Sequence, residues 1–298
     1  MADESPFRNT VLKGKVALIT GGGSGICFEI ATQFGLHGAM VAIMGRRKHV
    51  LDAAVASLES LGIRAVGVQG DVRKKEDASR VVETVVEELG RLDILINGAA
   101  GNFLSAAEDL SPNGFKTVMD IDTVGTFTMS HAAVNYLKQG GKGKGPNEGG
   151  VIISISATLH YSANWYQIHV SAAKAAVDSL TRSLALEWGT DYKIRCNGIA
   201  PGPISGTPGM EKLNPEEAGI SSGDAVPLGK MGEKWDIAMA AIFLASESGK
   251  YINGAVLPVD GGSWLAKPRY ISKEQLRQFG RAVEQRSRSK TQLPNSKL

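Results

Sequence analysis

The chain has 298 residues, of which 43% are hydrophobic and 21% charged, and a formal net charge of only +3; that composition suits a globular protein with a substantial core. No apolar run reaches the roughly 18 residues a bilayer span requires, and the polar, acidic start MADESPFRNT is not a secretory signal. Two cysteines, Cys27 and Cys196, build no disulfide framework and point to a reducing compartment.

Residues 1–13 read as an N-terminal extension. From residue 15 onward, short apolar runs alternate with longer amphipathic ones. KVALIT (15–20), MVAIMG (40–45), RAVGVQG (64–70), LDILIN (92–97), GVIISIS (150–156), KIRCNGIA (193–200) and AVLPV (255–259) are the predicted strands. Several are rich in Val and Ile, as buried parallel strands are. Ser24–His37, His49–Leu61, Lys75–Gly90, Asn113–Lys138, Gln167–Trp188 and Lys234–Ala245 are the predicted helices. This alternation predicts an α/β fold: a doubly wound parallel sheet of about seven strands in a single domain over 14–265.

Three stretches break the rhythm. QGGKGKGPNEGG (139–150) reads as a surface loop. The Gly- and Pro-containing segment Ile204–Pro227 follows a strand, where loops of open α/β sheets form ligand sites and long ones serve as lids. Residues 266–298 read as an appended arm with a short helix near Lys273–Gln285. From Lys267 onward there are nine Lys/Arg against two Glu, a net of +7, which leaves the rest near −4. Such an arm is either a solvated tail or a surface steering a phosphate-rich substrate.

The first strand runs into Thr20-Gly21-Gly22-Gly23-Ser24-Gly25-Ile26-Cys27 and then a helix. A Gly-rich turn there lets backbone N–H groups and the positive helix end meet a pyrophosphate. The second strand ends in Gly45-Arg46-Arg47, and arginine at this place favours a ribose 2′-phosphate, hence NADP(H) over NAD(H). Asp71 with Val72, after the third strand, is placed for the adenine edge. Asn97 opens NGAAGNF, whose small residues let backbone pack against a cofactor.

TGGGSGIC, Asp71-Val72, NGAAG, the Lys174 helix and Pro201-Gly202, in this order, resemble the short-chain dehydrogenase/reductase family across roughly residues 14–265. Cys27 stands where that family has the last glycine of its motif. Most members also carry a Tyr four residues before the Lys, a spacing that places both on one helix face; here that position is Val170. The usual Ser is replaced by the shifted hydroxyls of Ser156-Ala157-Thr158, and the usual Asn by Asp122. Within the family this altered pattern is similar to the 2,4-dienoyl-CoA reductase branch, its peroxisomal members above all, through AAGNFL, LSPNGFKTVMDIDTVGTF, ISATL, SAAKAAVD, LALEWG and IAPGPISGT.

That resemblance implies reduction of a 2,4-dienoyl-CoA to a 3-enoyl-CoA with NADPH. It implies Asp122 and Lys174 as the catalytic pair, with Tyr166 and Tyr161 as second choices. Gly21 to Ile26, Arg46, Arg47, Asp71, Val72, Asn97, Lys174, Pro201, Gly202, Pro203, Ile204 and Thr207 would hold the cofactor. Arg46, Arg73, Phe103, Ser111, Asn113 and Lys212 would face the acyl-CoA. Phe103, Trp165, Met210 and Leu213 are candidates for an acyl channel. A 3-oxoacyl thioester reductase and a non-catalytic dinucleotide-binding scaffold stay open as alternatives. Family habit implies a homo-oligomer, commonly a tetramer. The terminal Ser296-Lys297-Leu298 reads as an address for a peroxisomal import receptor. The five histidines (37, 49, 131, 160, 169) are expected to sit without close acidic or Cys partners, so no metal site is expected. Nor is nucleic-acid binding, since nothing aromatic or modular accompanies the basic arm.

Overall fold

The computed structural model describes residues 5–207, 226–267, 271–279 and 281. It separates into two compact units, Met1–Trp264 and Leu265–Leu298. In the second, residues 273–279 are helical; Gly280 and residues 282–285, the rest of the expected helix apart from Arg281, lie outside the described residues.

In the first unit, among the described residues, strands β1 (Val16–Thr20), β2 (Met40–Gly45), β3 (Ala65–Gln69), β4 (Ile94–Asn97), β5 (Val151–Ile155), β6 (Arg195–Pro201) and β7 (Val256–Val259) form one sheet in the order β3-β2-β1-β4-β5-β6-β7. Every pairing is parallel, with Leu18 of β1 set between Ala42 of β2 and Leu95 of β4. Each strand returns through a crossover, and the helices α1 (Gly25–Leu36), α2 (Lys48–Ser60), α3 (Lys75–Leu89), α4 (Pro112–Met119), α5 (Gly125–Leu137), α6 (Ile168–Tyr192) and α7 (Lys234–Ala245) cover the two faces.

Alternate residues of each strand feed opposite layers. Ala17, Ile19, Val41, Ile43, Ile94 and Ile96 pack toward Ile30, Phe34 and Ile242, while Val16, Leu18, Ala42, Met44 and Leu95 pack toward Val81, Val85 and Met129. Burial on both faces is why β1 reads as an unbroken apolar run. Strand order reverses beside β1, because β2 leaves on one side and β4 on the other. The carboxyl ends of β1 and β4 therefore open a crevice between their loops, the place where such sheets bind ligands.

Two expectations are refined by the structure. The helix predicted over Asn113–Lys138 begins at Pro112 and is interrupted by a π-turn at Asp120–Val124. The segment before residue 14 is partly folded onto the body: Leu12 is buried, Phe7 and Val11 pack on the layer of Phe34, and Ser5 Oγ lies 2.7 Å from His37 Nε2.

Candidate functional site

The turn after β1 is shaped by what its glycines avoid. Gly21 sits at φ 69, and a Cβ on it would come within 3.0 Å of the Gly98 carbonyl; a Cβ on Gly22 would meet Ile43 Cγ2 at 2.7 Å. Gly25 also adopts positive φ. Ser24 caps α1 by backbone conformation alone, without a side-chain hydrogen bond, and no acidic residue occupies the first turn. Backbone N–H groups at this helix end thus have no side chain competing for them, and the turn fits a pyrophosphate. Ile26 follows, half-buried against the core.

Thr20 links this turn to the next loop: its Oγ1 accepts from Gly98 N (2.9 Å) and Ala99 N (3.1 Å). Thr20 has no role that the Gly-rich motif alone announces; a hydroxyl closing an otherwise apolar strand is the signal for it. Asn97 is buried; its Nδ2 donates to Ser130 Oγ (3.0 Å), while its Oδ1 has no protein partner. Cys27 occupies space that Gly98 vacates, since a Cβ on Gly98 would lie 2.1 Å from Cys27 Sγ.

Arg46 and Arg47 are exposed beyond β2. Asp71 is clasped by Arg73, whose Nε and Nη2 reach its two carboxylate oxygens at 3.0 and 2.5 Å. The Arg73 hydrogen bonds, aided by Arg46, hold the Asp71 carboxyl below the usual carboxylate range. Arg73 is thus engaged within its own turn. Val72 is buried against Gly125. On the far side Gly202 N donates to Val259 O, and a Cβ on Gly202 would strike Asp260 at 2.5 Å. Pro201 is buried, Pro203 O accepts from Gly232 N, and Ile204 is buried with Thr207 Oγ1 donating to its carbonyl.

The centre of the crevice holds a buried ion pair. Asp122, 0% exposed, lies on the π-turn; its Oδ1 accepts from Gly101 N (2.7 Å) and its Oδ2 stands 3.0 Å from Lys174 Nζ. Lys174, on α6, also donates to the Ile155 carbonyl at 2.9 Å. The Asp122–Lys174 contact is an ion pair without aligned hydrogen-bond geometry, so Oδ2 keeps an open acceptor direction. The π-turn is pegged from behind: Thr126 Oγ1 donates to Asp122 O, Ser130 Oγ to Thr126 O, and Asn97 Nδ2 to Ser130 Oγ. Single π-turns of this kind recur at functional sites because they re-aim one side chain without ending the helix.

Val170 is buried beside Val118 and Ala173, an apolar plug where a phenol would otherwise stand. Ser156 Oγ, next to the Ile155 carbonyl, is buried without a partner, and Thr158 is buried at the start of a short 3₁₀ turn. Tyr161 stacks edge-on against His160 and Trp264, and burial with the nearby Asp178 pushes its hydroxyl pKa up. Tyr166 is 55% exposed in a left-handed conformation, φ 61, just before α6. Asp122 and Lys174 are thus brought together, and neither tyrosine has a hydrogen bond or ion pair to them.

Of the expected acyl-CoA contacts, Phe103 is 40% exposed and lies against the His169 ring. Ser111 caps α4 by accepting from Gly114 N, and Asn113, the second residue of the helix, is exposed. Trp165 is 84% exposed. Lys212, Met210 and Leu213 lie outside the described residues, as does Ser296-Lys297-Leu298. One expectation is corrected: His160 does have an acidic partner, Asp178, at 2.6 Å, brought to it by the fold from 18 residues away. Among the described residues no cluster of three or more metal-ligating side chains forms, and no helix is long and apolar enough to cross a membrane.

Residues 21–263 match the family model described as enoyl-(acyl carrier protein) reductase. The chain is 66% identical over 297 residues, 99% of its length and 100% of the relative, to a peroxisomal 2,4-dienoyl-CoA reductase, (3E)-enoyl-CoA-producing, of Arabidopsis thaliana. A protein of the same name from Pongo abelii is 46% identical over 89% of both chains. Among solved structures, a short chain dehydrogenase from Bacillus anthracis superposes with a TM-score of 0.75 at 41% identity, covering 86% of this chain and 98% of that one.

Proposed function

The chain belongs to the short-chain dehydrogenase/reductase family and uses a nicotinamide dinucleotide, and from that premise we propose that it reduces 2,4-dienoyl-CoA to 3-enoyl-CoA with NADPH in peroxisomes. The observation that carries the reading is the buried Asp122–Lys174 pair, in a chain that has a buried aliphatic residue, Val170, in place of the usual phenol. Reduction of a ketone needs an acid at the carbonyl oxygen. Conjugate reduction instead ends with a proton delivered to carbon, a task the Asp122 carboxylate suits.

Gly21 to Ile26 and the N-terminus of α1 receive the pyrophosphate, Asp71 and Val72 border the adenine, and Pro201 to Ile204 with Thr207 receive the carboxamide. The open acceptor of Asn97 and the Ser156 hydroxyl supply polar atoms along the same crevice. Arg46 and Arg47 are free for a ribose 2′-phosphate, which is why NADPH is preferred. Arg46, with Arg73, Ser111, Asn113 and Lys212, would also serve the CoA phosphates and ester.

When bound, NADPH supplies a hydride to C5 of the dienoyl thioester. Electrons shift to the thioester oxygen, and C2 of the resulting dienolate takes a proton, giving the 3-enoyl-CoA. Lys174 holds the nicotinamide ribose and fixes Asp122. Asp122 holds and orients the proton source for C2, a water at its open Oδ2 direction. Val170 keeps an acid away from the carbonyl carbon. Tyr166 and Tyr161 are the second choices for the proton source.

Peroxisomal location is supported by the names of both relatives, with Ser296-Lys297-Leu298 as the proposed import address. A homo-oligomer is supported by the exposed Val124, Phe127 and Leu186 on the outer faces of the π-turn, α5 and α6.

NADPH oxidation with a 2,4-dienoyl-CoA, followed by the same assay with a 3-oxoacyl-CoA, tests the reading. Turnover of the first alone is expected. Turnover of the second alone returns the chain to ketone chemistry, and turnover of neither leaves a dinucleotide-binding scaffold.

A further inference from the structure

His169 is fully buried, at 0% exposure, yet neither Nδ1 nor Nε2 has an aligned hydrogen-bond partner. Leaving a buried N–H unpaired destabilises the fold, and an exception of this kind in a native fold calls for a reason. Packing does not supply one. The ring lies on Phe103 with centroids 4.2 Å apart and planes at 33°, a contact that phenylalanine would make without stranded nitrogens.

Its place supplies a better reason. His169 precedes Val170, the position from which most of the family donates to a carbonyl oxygen. It touches the loop that carries Gly101, whose N–H holds Asp122, and Gln167 ties Asn102 of that loop to the start of α6 (3.2 Å). Burial holds the imidazole below its usual range, against the opposing pull of a Phe103 backbone group and the Asp122 carboxylate. The positive end of α6 also disfavours protonation. A neutral imidazole has one N–H and one lone pair, and beyond a poorly aligned backbone hydrogen bond with Phe103 nothing in the protein fixes which nitrogen carries the hydrogen.

We propose that His169 is a substrate-contacting residue whose ring N–H donates to the thioester oxygen of the bound dienoyl-CoA, where charge accumulates as C5 accepts hydride. This deepens the dienoyl-CoA reading and rests on it. It divides the work: His169 stabilises the oxyanion while Asp122 and Lys174 serve the proton for C2. No atom is transferred through the histidine.

The test compares His169→Phe, which keeps the stacked ring and removes the donor, with His169→Gln, which restores a donor of similar reach. Two readouts are taken: turnover with NADPH, and the ultraviolet band of a 2,4-dienoyl-CoA added to the NADP+-loaded enzyme, where no reduction occurs. A donor on the thioester oxygen polarises the conjugated system and moves that band to the red. The wild-type band is expected to shift. His169→Phe should lose the shift and roughly 100-fold in kcat, the usual effect of removing one oxyanion donor. NADPH affinity should hold, and His169→Gln should recover about tenfold of the loss. A His169→Phe enzyme with the shift intact and kcat within about threefold of wild type overturns the proposal. So does a folded His169→Gln no better than His169→Phe, and that comparison decides the matter if the Phe variant is unstable. A wild-type enzyme that shifts the band without turning the dienoyl-CoA over overturns the parent reading, not the contact.

Discussion

Asp122 is a carboxylate with no solvent exposure, one oxygen held by the Gly101 N–H and the other facing Lys174. Removing one member of a buried pair leaves the other charged and uncompensated, a cost of about 3–5 kcal/mol, so truncation alone confuses stability with chemistry. Asp122→Asn keeps an acceptor for Gly101 but still leaves Lys174 uncompensated, so rates are compared per folded molecule. If the carboxylate orients the proton for C2, Asp122→Asn and Asp122→Ala should both cut turnover by about two orders of magnitude, a typical acid–base effect. NADPH affinity, measured by fluorescence titration, should be kept, because cofactor and proton source are held by different atoms of the site. Near-normal turnover in both variants would show that the acid lies elsewhere, with Tyr161 and Tyr166 next to be replaced by Phe. Residue identity was legible at this scale: Val170 and Asp122 stand out in the sequence because they depart from a known pattern. Contact was not. Nothing in the spacing announces that His160 reaches Asp178 or that His169 lies on Phe103, since both depend on which loops the sheet brings together.

Strands and helices were legible as elements because burial imposes its period: β1 and β5 are buried at every residue and read as continuous apolar runs. The π-turn at Asp120–Val124 was not legible, because one extra residue in a helical turn leaves no compositional mark and the Thr126 and Ser130 pegs that fix it are ordinary helix hydroxyls. The meeting of α1 with the loop after β4 was partly legible. Cys27 was recognisable as a departure from the family motif. The structure adds the compensation: Gly98 makes room for the sulfur, so a methyl group at 98 would lie 2.1 Å from Sγ. Gly98→Ala should therefore destabilise the wild-type chain by about 1–3 kcal/mol, the usual penalty for an overpacked core. In a Cys27→Gly background most of that penalty should vanish. Urea unfolding of the two single variants and the double variant gives the coupling directly. Additive effects would mean that the two elements do not contest this space.

Seen whole, the molecule divides its labour between the two ends of the sheet. Loops at the carboxyl ends of β1, β4 and β5 carry the site, while the amino ends of β1 and β4 are tied by charge. Asp93 is buried; its Oδ2 accepts from Val16 N and Arg91 Nε, and its Oδ1 from Arg91 Nη2 and the buried Lys144, while Glu148 closes the network on Arg91. The Gly/Lys-rich run 139–150, expected as a plain surface loop, thereby sends one lysine inward. Burial raises the Asp93 pKa, but Arg91 and Lys144 outweigh it, and the carboxyl sits below its ordinary range. A carboxyl depressed on folding contributes stability above its unfolded pKa and loses it as pH falls through the lower, folded one. Asp93→Asn should therefore destabilise the protein by about 3–5 kcal/mol near pH 7, with Lys144 left buried beside Arg91. The gap to wild type should narrow toward pH ~3, because acid removes the same charge from the wild type. Turnover per folded molecule should not change, since the network lies at the end of the sheet away from Asp122. Urea midpoints at the two pH values, with kcat at pH ~7, separate these outcomes. A gap of constant size would mean that the network holds the strands by shape and hydrogen bonding, with its charge incidental.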